Sequence, residues 1–285
     1  MTTVRTVATI AALTLREASR RRALLALAVL TAALLLLSGW GFSRLAAESE
    51  FATLTSGQAR LVASQLLNLV MFGFSLIAAL GTAFLAGPTL AGETESGIAL
   101  SVLARPIRRS AVLLGKWLGL VAFGTGFVLV AGLAQCLVVL WTVDYWPPQP
   151  VAALALLAAQ TVVLLTLGLL LSTVVSPMAS GVVAVGLFGA TWVAGVVGGI
   201  GEALGNEGVA GVGTVSRMLL PTDGLWRGAM HAFQDPVALA RFGQEMKGFP
   251  FLSEAPLTAA YLVWAAVWVA LVWGLAAMSF TRRDV

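Results

Sequence analysis

Few side chains in this sequence can do covalent or metal chemistry. It has a single cysteine, Cys136, and a single histidine, His231. A lone cysteine gives no disulfide framework and no cysteine-based zinc site. One histidine excludes a two-histidine metal motif such as H-E-x-x-H. Met218, Met230, His231 and Met246 are the residue types that a soft metal such as copper takes. Methionine is also a common apolar filler, and Cys136, Met71, Met178 and Met278 are scattered along the chain. No metal site and no copper cargo is therefore read from them. The sequence has no G-x-x-x-x-G-K-[ST] run, so nothing in it can cradle nucleotide phosphates. Its Gly115-Lys116 pair opens an apolar stretch and is no P-loop. What remains is charge pairing, concentrated where Glu93 and Glu95 precede Arg105, Arg108, Arg109 and Lys116.

The elements that position these groups are set by composition. The 285 residues are 59% hydrophobic and 11% charged, with a mean hydropathy of +0.94. Soluble domains run at about 45–50% apolar and about 25% charged, so a cytosolic enzyme is excluded. The net charge of +4 does not point to nucleic acid, because the cations lie beside apolar stretches and read as topology signals. Crossing a hydrocarbon core takes about 20 helical residues. Stretches that meet this lie at Ala23–Phe42, Val62–Ala86, Trp117–Val143, Val151–Val175, Gly181–Ile200 and Leu257–Phe280, and none contains an ionisable Asp, Glu, Lys, Arg or His. The predicted fold is an all-α integral membrane protein with six transmembrane helices. Arg5, Arg16, Arg20, Arg21 and Arg22 before the first span, the cations at 105–116, and Arg282 and Arg283 in the tail put both termini in the cytoplasm under the positive-inside rule.

Residues 1–22 are expected to form an amphipathic helix lying in the cytoplasmic interface. Val4, Val7, Ala8, Ala11, Leu15 and Ala18 fall on one stripe; Arg5, Thr9, Arg16, Glu17 and Arg20 lie opposite, with Ile10 and Leu13 as exceptions. Such a helix turns its arginines towards anionic headgroups or a partner. Arginines followed by an apolar run also make a secretory signal. Here the basic cluster begins late and the apolar run is long enough to span, so residues 1–40 are expected to stay.

The segment 87–116 is the most informative. It is about thirty residues long, whereas a turn between helices needs about 2–8. Glu93 and Glu95 sit where a short helix would begin, a position the helix dipole favours for carboxylates. Ile98, Leu100, Val102 and Leu103 are too few to span and too apolar to be left in water, and Pro106 ends the helix. A short helix bounded by acids and bases suits docking into a cleft on a soluble protein.

Here a resemblance appears. The run Gly92-Glu93-Thr94-Glu95-Ser96-Gly97, ending in Pro106-Ile107-Arg108-Arg109 and Leu113-Leu114-Gly115-Lys116, resembles the ABC-2 type permeases, the membrane subunits of one class of ATP-binding-cassette transporter. Glu95, Gly97, Pro106, Arg109, Gly115 and Lys116 match the family pattern. Leu219-Leu220-Pro221-Thr222-Asp223, followed by Trp226-Arg227, resembles the branch that contains the nitrous-oxide-reductase maturation permease. The resemblance implies a pair of permease copies, a homodimer, engaged with two ABC ATPase subunits that carry ATP and Mg. No cofactor is then expected on this chain, which would be non-catalytic. It further implies an ATPase-coupling element built from Glu93, Glu95, Gly97, Leu100, Leu103, Pro106, Arg109, Gly115 and Lys116. Arg5, Arg16, Glu17 and Arg20 would form the remaining cytoplasmic interface.

The other expectations concern the membrane and its outer face. The span residues Gln65, Asn68, Gln135, Gln160, Thr161 and Thr166 are mild, and read mainly as interhelical hydrogen bonds. With no charge in the spans, proton or sodium coupling is disfavoured. Gly186, Ala190, Ala194 and Gly198 recur at every fourth position of span five. Small residues in that register let two backbones approach, as a dimer or pathway seam, or as packing within one subunit. Tyr261, Trp264 and Trp268 form a stripe on span six. In the outer segment 201–256, Asp235-Pro236 starts a helix that runs through about Met246. A short helix from Asp223 is expected to dip into the interface as a lid, with Pro221, Asp223, Trp226 and Arg227 as an outer gate. The expected organisation is thus 1–22, spans at 23–86, the coupling segment 87–116, spans at 117–200, the outer segment 201–256, and the last span with its tail at 257–285. The expected function is the permease of an ATP-driven exporter in the plasma (inner) membrane, in contact with lipid and with an extracytoplasmic accessory protein as a further partner. The rival is a membrane scaffold that anchors a partner without moving a solute.

Overall fold

A computed structural model describes residues 3–20, 23–47, 56–95, 108–242 and 249–282. The helices are α1 (Thr3–Arg20), α2 (Ala23–Ala47), α3 (Ser56–Glu95), α4 (Arg109–Val143), α5 (Pro150–Ser172), α6 (Pro177–Ala203), α7 (Glu207–Leu219), α8 (Thr222–Phe233), α9 (Pro236–Phe242) and α10 (Ala259–Arg282). Among the described residues there is no strand. Six helices, α2 to α6 and α10, are long and apolar enough to cross a membrane, and each contains most of one expected span. The interfacial helix also appears, as α1.

Two boundaries differ from expectation. The second span does not stop near Ala86: α3 continues past Gly87-Pro88 to Glu95. A membrane helix tolerates proline where its freed backbone group is satisfied by neighbours, and Gly87 here lies against α6. A Cβ on Gly87 would come within 2.5 Å of the Pro177 carbonyl oxygen. Glu93 and Glu95 therefore end the described part of α3 and do not open a separate helix. The third span likewise starts two turns early, at Arg109, so Gly115-Lys116 lies inside α4.

Helix α5 is the hub of the bundle, touching α3, α4, α6, α8 and α10. Side-chain amides and hydroxyls tie the helices together, as expected for Gln135, Gln160 and Thr166, whereas Gln65 is buried and its amide has no hydrogen bond among the described residues. Gln135 Nε2 donates to Ser38 Oγ at 2.6 Å, Ser75 Oγ donates to Gln160 Oε1 at 3.2 Å, and Trp117 Nε1 donates to Thr166 Oγ1 at 2.9 Å. Thr161 bonds within its own helix, to the Leu157 carbonyl.

The segment 201–256 is built differently from a surface lid. Gly205, at φ +67°, turns the chain after α6, and the Asn206 side chain accepts from Val209 N at 3.2 Å to cap α7. α7 then folds back along α6 through bare backbone. A Cβ on Gly198 would stand 2.6 Å from Gly213 Cα, and one on Gly201 would stand 2.5 Å from Ala210 N. After Pro221 the chain reverses into α8, which is buried except at Arg227 and His231. The reversal is pinned to the bundle. Thr222 Oγ1 lies 3.0 Å from Thr191 Oγ1, and Gln160 Nε2 donates to the Thr222 carbonyl at 3.3 Å. Gln160 is ten residues into α5, about 15 Å of helix, which is half a hydrocarbon thickness of about 30 Å. α7 and α8 therefore form a re-entrant hairpin reaching mid-depth. The expected helix from Asp223 exists, but its apolar face (Leu225, Trp226, Ala229, Met230, Phe233) is taken up by the bundle core and not by the lipid interface.

The C-terminal ends of both hairpin helices are closed by hydrogen bonds, as buried backbone requires. Tyr261 Oη donates to the Arg217 carbonyl at 2.9 Å and Trp268 Nε1 to the Leu219 carbonyl at 2.8 Å, closing the end of α7. Tyr145 Oη donates to the Phe233 carbonyl at 2.6 Å, and Gln149 N donates to the Ala232 carbonyl at 3.2 Å, closing α8. Burial pushes the Tyr145 hydroxyl above its ordinary pKa, which already keeps it a donor at neutral pH. Span-six aromatics expected on one stripe are thus used for packing and capping.

Candidate functional site

Two regions gather the residues singled out above, one at each end of the bundle. At the end that carries the termini, α1 lies on the first turns of α4. The receiving surface is Gly115 and Gly119. A Cβ on Gly115 would come 2.7 Å from Ile10 Cβ and 2.9 Å from the Val7 carbonyl oxygen, and one on Gly119 would come 2.7 Å from the Ala11 carbonyl oxygen. Thr14 and Ala18 are buried on the same face. The inward face of α1 is thus Val7, Ile10, Ala11, Thr14 and Ala18, rotated from the expected stripe: Ile10 is part of it, while Val4 and Leu15 are exposed. The rotation follows from what receives the helix, a groove of glycines on a neighbour and not a flat lipid surface. Arg5, Arg16, Glu17 and Arg20 all remain on the exposed side.

Gly115, expected in the ATPase-coupling set, is therefore occupied by α1, and its neighbour Lys116 is buried. Arg109 donates through Nη1 to the Thr281 carbonyl at 3.4 Å, joining the start of α4 to the end of α10. Gly97, Leu100, Leu103 and Pro106 lie outside the described residues, as does most of the expected coupling helix.

At the opposite end the re-entrant hairpin carries an ionic cluster. Asp223 is buried. Arg227 Nε donates to its Oδ2 at 3.1 Å, and Arg217 Nε lies 3.6 Å from the same oxygen. Arg227 Nη2 donates to the Gly195 carbonyl, and the absence of a side chain on Gly195 is what admits the Asp223 carboxylate beside α6. Arg217 Nη2 stands 3.6 Å from Glu202 Oε1, on the exposed end of α6. Gly195 precedes Ala203, the last residue of α6, by eight residues, about 12 Å. The spans themselves are free of charge as read from the sequence, yet the hairpin carries Arg217, Asp223 and Arg227 down among them. Ionisable side chains at such depth mark a functional site by default. Asp223 and Arg227 belong to the expected outer gate and do meet. Arg217 and Glu202 were missed, and the Gly205-Asn206-Glu207 helix-start signal would have placed Arg217 on a returning helix.

The two other gate residues separate from this pair. Pro221 forms the hairpin turn. Trp226 points into an aromatic cluster centred on Phe72, whose ring centroid is 4.6 Å from Trp192, 5.5 Å from Trp226 and 5.8 Å from Phe251. Phe251 is held from behind: Asn68 Nδ2 and Gln234 Nε2 both donate to its carbonyl, at 3.1 and 3.2 Å. Asp235 caps α9 as expected, accepting from Val237 N and Ala238 N; Met246 lies outside the described residues.

The small-residue stripe on α6 divides. Gly198 is buried against Gly213 and Ala194 is half-buried, so this half is packing within the subunit. Gly186 and Ala190 are exposed, with open space around Gly186. As for the soft-metal types, Met218 is exposed and Met230 is in the core. His231 Nδ1 is 3.0 Å from the Ser253 carbonyl oxygen.

Comparison with the curated proteins gives no match. The model of the family described as ABC-2 family transporter protein matches residues 8–285, from the first turns of α1 through the last residue. The six membrane-crossing helices, most of the docked amphipathic helix and the paired short helices before the last span fall within that match, and the chain belongs to the ABC-2 family of transporter membrane proteins.

Proposed function

We propose that this chain is the non-catalytic permease subunit of an ATP-driven exporter, working as two copies with two separately encoded ATPase subunits that bind ATP and Mg. The observation that carries the reading is the seat of α1. Its backbone is held on Gly115 and Gly119 of the third span, and Arg5, Arg16, Glu17 and Arg20 face outward beside it. A helix held this closely passes a push from a soluble partner directly into a membrane helix. Residues 93–104 would be the second point of contact. The arginines at the same end, Arg5, Arg16, Arg20, Arg108 and Arg282, support a cytoplasmic placement of both termini in the plasma (inner) membrane. Leu219–Asp223 with Trp226-Arg227 supports a place near the nitrous-oxide-reductase maturation branch.

The test uses the chain reconstituted with its ATPase. Arg16→Ala with Arg20→Ala should lower permease-stimulated ATP hydrolysis about tenfold while the protein still inserts. Wild-type stimulation in that variant would remove α1 as a contact. Transport without ATP hydrolysis would remove the whole reading, and hydrolysis with no solute movement would favour a scaffold. Arg109 is a poor probe, because its loss also frees the end of α10.

A further inference from the structure

Beside the ionic cluster lies a cleft of about 360 Å³, framed by the end of α6, by α7 and α8, and by residues 249–258 ahead of α10. Arg217 and Arg227 line it, and Glu202 and Glu254 stand on its rim. The two guanidiniums share the buried Asp223 carboxylate, and Arg217 also faces Glu202 at 3.6 Å. Arg217 Nη2 is buried and, apart from Glu202 at 3.6 Å, has no polar partner within hydrogen-bond distance among the described residues, and a guanidinium has five N–H groups to place.

The height of the cleft identifies what could fill it. α6 is 27 residues long, about 40 Å, against a hydrocarbon core of about 30 Å. The last turns of α6, which line the cleft at Gly199, Glu202 and Ala203, are thus at headgroup level. The helices on either side offer apolar surface for chains: Val212 and Val215 on α7 and Val263 on α10 are exposed. Paired guanidiniums suit the oxygens of a phosphate. Two carboxylates on the rim would repel a purely anionic ligand and attract an ammonium.

We propose that this cleft seats the headgroup of a zwitterionic, amine-bearing phospholipid, with its phosphate on Arg217 and Arg227 and its ammonium between Glu202 and Glu254. The seat is a property of the isolated chain and does not depend on any ATPase, so its failure leaves the transport reading standing. The experiment is native mass spectrometry of the purified full chain offered equimolar phosphatidylethanolamine and phosphatidylglycerol, with inorganic phosphate as a competitor. Wild type should retain phosphatidylethanolamine at least fivefold over phosphatidylglycerol. Arg217→Gln should cut retention of both lipids about tenfold. Glu202→Gln, which keeps the size of an exposed side chain, should abolish the preference while leaving phosphate-dependent binding. An unchanged preference in Glu202→Gln, or no retained lipid in wild type, overturns the proposal. So does displacement of the lipid by millimolar inorganic phosphate, which would assign the cleft to the free ion.

Discussion

Arg227 has the clearest residue-level consequence. Its guanidinium is the nearer of two that offset the buried Asp223 carboxylate, and it also holds the Gly195 carbonyl. Removing one member of a buried pair costs about 3–5 kcal/mol when the other charge is left uncompensated; here Arg217, 3.6 Å from the same carboxylate, keeps the loss towards the low end. Arg227→Ala should therefore lower the thermal unfolding midpoint in detergent by many degrees, followed by tryptophan fluorescence. Adding Asp223→Asn should recover part of the loss, because the stranded charge goes with it; no recovery would mean that the arginine acts chiefly through Gly195. Gln160 is a milder case. Its amide bridges Ser75 and the Thr222 carbonyl, and interhelical bonds in membranes average about 0.6 kcal/mol each, so Gln160→Leu should cost about 1 kcal/mol in the same assay. These polar side chains were visible in the sequence as packing groups. Which carbonyl each one meets was not, because Thr222 and Phe251 come from a segment whose return into the membrane leaves no periodic apolar signature.

Among the elements, α1 makes the sharpest prediction. Its seat on α4 has no side chain to yield, so a larger residue must displace the helix itself. Overpacking of this kind costs about 1–3 kcal/mol. Gly119→Leu should release α1 and speed tryptic cleavage after Arg16 and Arg20 several-fold, with the six-helix bundle still eluting as a single species. Unchanged cleavage would show that α1 is held elsewhere. The helix itself was readable within residues 1–22, since its apolar residues repeat with helical spacing. Its rotation was not, because the stripe was referred to lipid when the true receiver is another helix. The same limit explains α3 and α4: apolar content marks where a helix crosses the membrane, but not how far it continues beyond.

For the molecule as a whole, the pairing of two copies proposed above predicts contact at the exposed half of the α6 stripe. Cysteine at Gly186 or Ala190 should crosslink two chains in membranes, whereas cysteine at Gly198 should not, because α7 covers that position. The native Cys136 is buried and gives little background. Crosslinking at Gly198 alone would reverse the assignment. The order of crossings, the class of fold and the family were all legible from runs of apolar residues and from the motif at 92–116. Half of the ionic cluster was the main omission, since Glu202 and Arg217 reach Asp223 and Arg227 only through two chain reversals.

Those reversals also bear on voltage. When no lipid fills the cleft, solvent ions entering it would carry the potential of that compartment towards Arg227, which bonds α6 about 12 Å inside its end. A potential applied across the bilayer then falls over the remaining thickness only, and the electric field beside the hairpin is steeper than elsewhere in the lipid. Any charged group moving past Thr222 would do most of its electrical work over that short stretch.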